Sequence, residues 1–153
     1  MLNLLYREAT KQDIPFLAAI RAKDWESEEY WNKRISDYLD GASNPQHALK
    51  PRMIYVVSEN DKIVGFAAGH LTRRYGCDGE VEWIDVIEEY RRNGIASELA
   101  RRLAKWFVEQ KAHNICIDPG NEDARQFYRK NGAEALNEHW MVWRDIRTIL
   151  RNQ

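Results

Sequence analysis

The sequence predicts an α/β fold, a mixed α+β sheet with helices covering both of its faces. Short runs rich in β-branched and aromatic residues are interspersed with longer segments of helical periodicity. Asn60-Asp61 separates two such runs and is typical of a tight hairpin between antiparallel strands. No linker, repeat or low-complexity tract interrupts the pattern, so one domain over residues 1–153 is expected.

The first elements are a strand and two helices. Residues 2–8 have strand character, and Thr10-Lys11-Gln12-Asp13 matches a capping box that begins a helix reaching about residue 23. Ser27 is a typical N-cap for a second helix, which Gly41 ends. The Ser, Asn and Pro content of residues 42–51 predicts a loop.

Three strands follow. Residues 53–58 and 63–71 flank the hairpin turn, and residues 80–87 form an acidic strand after a loop at 73–79. A long helix is predicted over residues 94–110.

The C-terminal part is predicted to alternate again. Residues 114–117 form a short strand, residues 121–131 a helix that Gly132 ends, and residues 133–146 a final antiparallel pair. The full order is strand, two helices, three strands, helix, strand, helix and two strands.

Composition limits the possible functions. Apolar residues make up 44% of the 153 residues, charged residues 31%, and the net charge is −1. A domain that binds nucleic acid or an acidic membrane surface would carry more positive charge, so neither nucleic acid nor a membrane is expected as a partner. No apolar run is long enough to span a bilayer, and the N-terminus lacks a leader pattern, so a cytoplasmic protein is expected.

Metal chemistry is not expected either. Cys77 and Cys116 have no ligand spacing and predict reduced thiols, with Cys116 buried in a strand. The four histidines form no i, i+4 pair that would hold a metal on one helix face.

The most informative segment runs from Tyr90 to Ser97, with the sequence YRRNGIAS at a strand-to-helix junction. Arg91 and Arg92 lie where the helix dipole is already positive, which is unfavourable unless an anion binds there. Free amides at a helix start bind phosphate, and Gly94 lets a ligand approach the backbone. The alternative is that both arginines are solvated surface charges and that Gly94 is a simple turn.

Two motifs together resemble the GNAT superfamily of acetyl-CoA-dependent N-acetyltransferases. The first is Arg91-Arg92-Asn93-Gly94-Ile95-Ala96, which is similar to the family's Arg/Gln-x-x-Gly-x-Gly/Ala. The second is Asn121-x-x-Ala124-x-x-Phe127-Tyr128-x-x-x-Gly132, which is similar to its second acetyl-CoA motif. The predicted element order also matches over nearly the whole chain. The resemblance therefore implies a GNAT-like acyl-CoA N-acyltransferase fold with acetyl-CoA as the acetyl donor.

The resemblance implies that the coenzyme's diphosphate binds the backbone amides of residues 92–97. Main-chain groups near Val86 would pair with the pantetheine arm, and Asn121 would bind it, although Asn121 is equally a typical N-cap. The implied coenzyme-binding residues are Ile84, Asp85, Val86, Arg91, Arg92, Asn93, Gly94, Ile95, Ala96, Ser97, Asn121, Ala124, Phe127 and Tyr128.

Tyr128 is the candidate general acid, because the family places this hydroxyl beside the coenzyme's sulfur. A phenol with a pKa of about 10 would protonate a thiolate of pKa about 8.5 only uphill, so a hydrogen bond alone is the other possibility. The structural alternative is a core aromatic.

Two carboxylates are candidate bases that would deprotonate the acceptor. Strand alternation predicts that Glu80 and Glu82 share a face with Ile84 and Val86, whereas Asp85 points away with Trp83. Family members use an acid at either position, and Glu82 ranks first because it is nearer to Val86. The alternative is that both are solvated charges that attract a cationic substrate.

The family's acceptor site implies Trp25, Glu28 and Trp31 as residues near the amine acceptor. Aromatic rings and acids suit a small cationic amine, but an ordinary amphipathic helix explains them as well. The identity of the amine stays open, and a homodimer is a family-level expectation. A non-catalytic acyl-CoA-binding or regulatory module on the same fold is the alternative function.

Overall fold

The computed structural model describes residues 1–42 and 48–151. The elements in chain order are β1 Leu4–Glu8, α1 Ile14–Ala22, α2 Glu28–Asp40, β2 Ala48–Glu59, β3 Lys62–Thr72, β4 Gly79–Val86, α3 Ile95–Glu109, β5 Ile115–Ile117, α4 Glu122–Lys130, β6 Glu134–Ala135, β7 Met141–Trp143 and α5 Arg147–Arg151. The seven strands of these residues form one sheet in the order β1-β2-β3-β4-β5-β7-β6. Neighbouring strands are antiparallel except for β4 and β5, which are parallel.

The predicted order of elements is confirmed, with one helix added at the end. The added helix α5 has five residues, too few for a periodic pattern to reveal it. Part of the predicted loop at 42–51 is wrong, because residues 48–51 begin β2; residues 43–47 lie outside the described residues. Pro51 has no N–H to donate to a neighbouring strand. It is tolerated here because the register with β3 shifts between Leu49 and Arg52, so Pro51 is not part of the regular pairing.

Local signals fixed the ends of several elements as predicted. The Thr10 N–H donates to Asp13 Oδ2 at 2.7 Å, which completes the capping box, and the Ser27 hydroxyl accepts from the Tyr30 N–H at 3.0 Å. Asn60 and Asp61 both have positive φ, 49° and 71°, as a tight hairpin turn requires.

The core lies in two layers, one on each face of the sheet. Helices α1 and α2 cover one face, whereas α3, α4 and α5 cover the other. The predicted long helix is confirmed as α3, and one of its faces is buried through Ile95, Leu99, Leu103, Trp106 and Phe107. Burial of each such side chain contributes about 1.5–3 kcal/mol. Phe107 lies so close to β3 and β4 that a Cβ at Gly69 or Gly79 would come within 2.8 Å or 2.6 Å of its ring.

The sheet opens between β4 and β5. These strands pair only from Gly79↔Ile115 to Val81↔Ile117. β4 continues to Val86 with β3 as its partner, whereas the chain beyond Ile117 turns into α4. Within the described ranges, one edge of residues 82–86 therefore faces no strand, and a wedge-shaped opening separates β4 from α4. No helix of those ranges has both the length and the apolar character to cross a membrane.

Candidate active-site cleft

The opening between β4 and α4 forms a cavity of about 510 Å³, called here the wedge cleft. Its walls come from β4, from the loop and helix that follow β5, and from the ends of α1 and the turn before β4. The lining residues are Arg21, Asp24, Trp25, Arg74, residues 80–85, residues 117–121, Ala124, Tyr128 and Trp140. Unpaired main chain, carboxylates and aromatic rings thus meet in one groove.

A second cavity of about 360 Å³, called the helix-start pocket, adjoins the wedge cleft along the same two elements. It is lined by residues around the start of α3 together with Val86, Phe127 and Lys130. Val86 follows Asp85 of the wedge cleft on β4, and Phe127 precedes Tyr128 on α4. Neighbouring residues of β4 and of α4 therefore line the two cavities.

The backbone of the helix-start pocket has the conformation of an anion-binding turn. Arg92 and Gly94 have positive φ, 67° and 76°, which turns successive N–H groups toward one side. No side chain of the described residues caps this helix at Gly94. Hydrogen bonding within α3 begins with the Glu98 N–H, which donates to the Gly94 carbonyl at 3.1 Å. The amides before Glu98 are therefore not used by the helix.

Side chains around this turn make hydrogen bonds that hold it in place. Arg91 Nε donates to the Val86 carbonyl at 3.0 Å, so this arginine ties the turn to β4. Asn93 Nδ2 donates to the Tyr90 carbonyl at 3.0 Å, and the Tyr90 hydroxyl donates to Glu59 at 2.6 Å. Arg92 and Lys130 lie beside the pocket as exposed cations. A Cβ on Gly94 would have no atom within 4 Å, so there is space for a larger side chain. Glycine is favoured here because of the positive φ.

On α4, both structural alternatives are confirmed. Asn121 Oδ1 accepts from the Ala124 N–H at 2.8 Å, so Asn121 is the N-cap. Tyr128 is 6% exposed and packs edge-on against Phe127 and Trp143, with ring centroids 5.4 Å and 5.7 Å away. Burial raises the pKa of Tyr128, and the nearby Asp85 raises it further. The Tyr128 hydroxyl, which lies in the wall of the wedge cleft, therefore stays protonated and is a hydrogen-bond donor.

The predicted faces of β4 are wrong for the two glutamates. Ile84 and Val86 pack toward α3, as expected, but Glu82 pairs with Arg34 of α2, on the opposite face. The cause is a β-bulge: Trp83 pairs with Ala68 and Val81 with Gly69, so Glu82 is the extra residue. A bulge breaks strict alternation, and Glu80 and Glu82 therefore lie on the α2 face with Trp83 and Asp85.

The two glutamates have different partners. Glu80 is 4% exposed, and its Oε1 accepts from Arg74 Nε at 2.9 Å. Glu82 Oε2 accepts from Arg34 at 3.3 Å, whereas its Oε1 is buried and has no hydrogen-bond partner among the described residues. Burial raises the pKa of Glu82, an effect that Arg34 opposes. Glu82 therefore combines an available oxygen with increased proton affinity.

A metal-like grouping occurs here that the sequence did not suggest. Ligand atoms of His70, Glu80 and Glu82 lie within 4.8 Å of one another. However, Arg34 and Arg74 already balance the two carboxylate charges, so a dication would add two uncompensated positive charges to a buried cluster. The arrangement suits a proton-handling site better, and the absence of a metal stays a prediction.

Of the three predicted acceptor residues, only Trp25 reaches the wedge cleft, with 60% of its surface exposed. Trp31 is buried and packs on Trp83 at 6.0 Å between ring centroids, while its Nε1 donates to the Trp25 carbonyl. Glu28 is exposed in the first turn of α2, outside the cleft lining.

Several cleft residues were missed by sequence reasoning. Arg21 of α1 makes an ion pair with Asp85 at 2.9 Å and lies over the Trp31 ring at 4.5 Å. Asp85 thus points to the α1 side, and burial raises its pKa while Arg21 lowers it. Asp24, Arg74 and Trp140 also line the cleft and were missed, as were Arg34 and His70, which contact the two glutamates from outside the lining. Each is a single polar or aromatic residue in an ordinary element, so no local pattern marks it.

Comparison with known proteins places this geometry in a family. The model of the Acetyltransferase (GNAT) family matches residues 14–133, which include every lining residue of the two cavities except Trp140. The search of curated proteins finds no match.

Solved structures with the same fold include proteins with bound coenzyme. A protein from Clostridium acetobutylicum, described as a predicted acetyltransferase with acetyl-CoA, aligns with a TM-score of 0.70 and 22% identity, over 89% of this chain and 93% of that one. The GNAT family N-acetyltransferase from Escherichia coli in complex with CoA aligns with a TM-score of 0.67 and 18% identity, over 97% and 86%. The PaiA N-acetyltransferase from Thermoplasma acidophilum in complex with coenzyme A aligns with a TM-score of 0.66 and 14% identity, over 94% and 99%.

At these identities the solved structures establish a shared fold, and the family model, which covers most of the chain, establishes the family. The helix-start pocket and the unpaired edge of β4 lie inside the matched region. The chain therefore belongs to the GNAT family of acetyltransferases.

Proposed function

We propose that this protein transfers an acetyl group from acetyl-CoA to a primary amine by direct attack, within a single N-acetyltransferase domain. One observation carries the proposal: neighbouring residues of β4 and α4 line the helix-start pocket and the wedge cleft, which we take as one binding path. The path begins at unused backbone amides, which suit a diphosphate, and ends at buried carboxylates, which suit a cationic amine.

The coenzyme would lie along this path with its diphosphate on the amides of residues 92–97. Arg92 and Lys130 add positive charge at the rim. The pantetheine arm would run along the unpaired edge of residues 84–86, between β4 and α4. Asn121 uses its Oδ1 as a cap, which leaves Nδ2 to donate to the arm. Relatives with bound CoA or acetyl-CoA on the same fold support this placement.

At the carboxylate end, the acceptor would arrive as an ammonium ion and lose one proton before it can attack. Glu82 accepts that proton, directly or through a water molecule, because its Oε1 has no donor while Glu80 Oε1 already accepts from Arg74. The neutral amine then attacks the acetyl carbonyl to give a tetrahedral intermediate. The carbon–sulfur bond breaks to release the coenzyme as a thiolate, and the nitrogen loses its second proton to solvent water as the amide forms.

Tyr128 would stabilise that thiolate. Its raised pKa means that the hydroxyl donates a hydrogen bond and keeps its proton, since a thiol has a pKa of only about 8.5. Trp25 and Asp24 would attract a cationic acceptor at the cleft mouth. Cytoplasmic location and homodimer formation stay predictions.

The test is thiol release from acetyl-CoA across a panel of monoamines, diamines, amino acids and lysine peptides, with mass detection of the acetylated product. Calorimetry with CoA measures binding separately. We expect coenzyme binding and release that depends on the amine. Binding without amine-dependent release would favour the non-catalytic acyl-CoA-binding module, and absence of binding would overturn the proposal.

A further inference from the structure

His70 occupies the centre of a buried polar cluster on the α2 face of the sheet. It is 0% exposed and pairs in register with Glu80 of β4. The Tyr38 hydroxyl lies 2.8 Å from His70 Nδ1, Glu80 Oε1 lies 3.5 Å from Nε2, and Glu82 Oε1 lies 3.9 Å from Nδ1. We call Tyr38, His70, Glu80 and Glu82 the His70 cluster. The proposed reaction uses Glu82 but leaves Tyr38 and His70 without a role.

The contact with Tyr38 favours one position for the imidazole proton. Burial raises the pKa of Tyr38, so its hydroxyl keeps a proton and needs an acceptor. His70 Nδ1 is that acceptor if the ring proton is on Nε2, which makes no hydrogen bond among the described residues and has Glu80 Oε1 3.5 Å away. The opposite tautomer would direct the Nε2 lone pair at a carboxylate oxygen 3.5 Å away. It would also deprive the Tyr38 proton of an acceptor.

We propose that Tyr38 and His70 are positioning residues that give the two glutamates different roles in the transfer reaction. The positive end of the Nε2–H dipole faces Glu80 Oε1 at 3.5 Å and, together with the hydrogen bond from Arg74, favours the ionised form of Glu80. The Tyr38 hydroxyl donates its hydrogen bond to Nδ1, so Nδ1 carries no proton and cannot donate to Glu82 Oε1. That oxygen is therefore left without a donor and can accept the proton of the amine. This inference rests on the proposed function, because it assigns roles within the same site.

The charged side chains around the His70 cluster are the same in wild type and in the Tyr38→Phe variant tested below. Arg34 comes from α2, Arg74 from the turn before β4, and Arg52 from β2, where it lies over the Tyr38 ring at 5.0 Å. Together with Glu80 and Glu82 of β4, these are the charged groups of the described residues that face His70 and Glu82. Substitution of Tyr38 by Phe removes one hydroxyl and alters none of them.

The first experiment measures kcat against pH for Tyr38→Phe, with Tyr55→Phe on β2 as the matched control. Without the Tyr38 hydroxyl, Nδ1 can carry the proton and donate to Glu82 Oε1, which stabilises the carboxylate. We expect the acidic limb to move down by about one pH unit and kcat to fall about tenfold, because a donor to an ionised acid lowers its pKa and weakens it as a base. Tyr55→Phe should leave both unchanged.

The second experiment needs no activity. Long-range ¹H–¹⁵N spectra of the histidine rings, with His70 assigned by its loss in His70→Gln, should show the Nε2–H tautomer in the wild type and a shift toward Nδ1–H in Tyr38→Phe. An Nδ1–H wild type would overturn the inference, as would an unchanged pH profile in a folded Tyr38→Phe that still transfers acetyl groups. The proposed function would survive both results, whereas a wild type that transfers to no amine would remove both proposals.

Discussion

The helix-start pocket and the carboxylate end of the wedge cleft are built in different ways. The helix-start pocket comes mainly from the main chain of one continuous segment, residues 90–97, whose shape depends on positive φ at Arg92 and Gly94. The carboxylate end comes from side chains of α1, α2, β3, β4 and the turn before β4, held by ion pairs. Coenzyme binding should therefore tolerate side-chain changes, whereas the reaction should not.

Energetics explain the contrast. Backbone amides in a helix start are already oriented and lose little entropy when an anion binds. Buried charges cost free energy to desolvate, and the loss of one partner leaves the other uncompensated. Arg34 with Glu82, and Arg74 with Glu80, are such pairs, with side chains at most 23% exposed. A single substitution at this end should thus disturb several groups.

The largest effect is expected for Glu82→Gln, which keeps the shape of the side chain but removes the base. We expect kcat to fall by about 100-fold, a typical loss for a general base. Because burial raises the pKa of Glu82, wild-type kcat should fall as pH decreases through a value above that of a solvated glutamate. This limb should be absent in the variant.

Thiol-release rates between pH 5 and pH 9 measure this effect, with the exposed Glu89→Gln as the control. If Glu80→Gln removed the limb while Glu82→Gln kept it, the two roles would be reversed.

The next effect is expected for Tyr128→Phe. Loss of a hydrogen bond to a developing thiolate should lower kcat about 30-fold, with the KM for acetyl-CoA nearly unchanged. Since burial raises the pKa of Tyr128, its ionisation should not limit the wild-type rate at any pH below its ordinary value of about 10. Steady-state kinetics beside Tyr6→Phe on β1 checks this, and an unchanged kcat would rule out the role.

At the other end of the cleft, Gly94→Ala should act on coenzyme affinity. An alanine at φ 76° is strained by about 1–2 kcal/mol, which favours a turn that no longer presents its amides. We expect the Kd for CoA in calorimetry to rise about tenfold. Gly76→Ala is the matched control, because Gly76 has a φ of 74° and equally open space for a Cβ. Equal losses in both variants would mean that general strain, and not the pocket, is responsible.

The same contrast decides how much the sequence could reveal. The helix-start pocket was predictable because its turn, its glycine and its helix lie in one segment with a recognisable spacing. The N-caps at Ser27 and Asn121 were predictable for the same reason, since a cap acts within three residues.

The carboxylate end could not be predicted in this way. One extra residue in β4, at Glu82, reversed the expected face of both glutamates, and no local signal marks that bulge. Arg34 and Glu82 are 48 residues apart, and Tyr38 and His70 are 32 apart, so only the tertiary fold brings them together.

The smallest effect is expected for Arg92→Ala, which removes a cation but keeps a non-glycine residue at the same φ of 67°. If the amides of residues 92–97 hold the diphosphate, the exposed guanidinium adds only a screened contact, so the Kd for CoA should rise about threefold with kcat unchanged. The difference from wild type should shrink between low and high salt, and the exposed Lys105→Ala on α3 is the control. A hundredfold loss would instead show that a side chain provides the main anion contact. The distinction between a main-chain end and a side-chain end of the cleft would then fail.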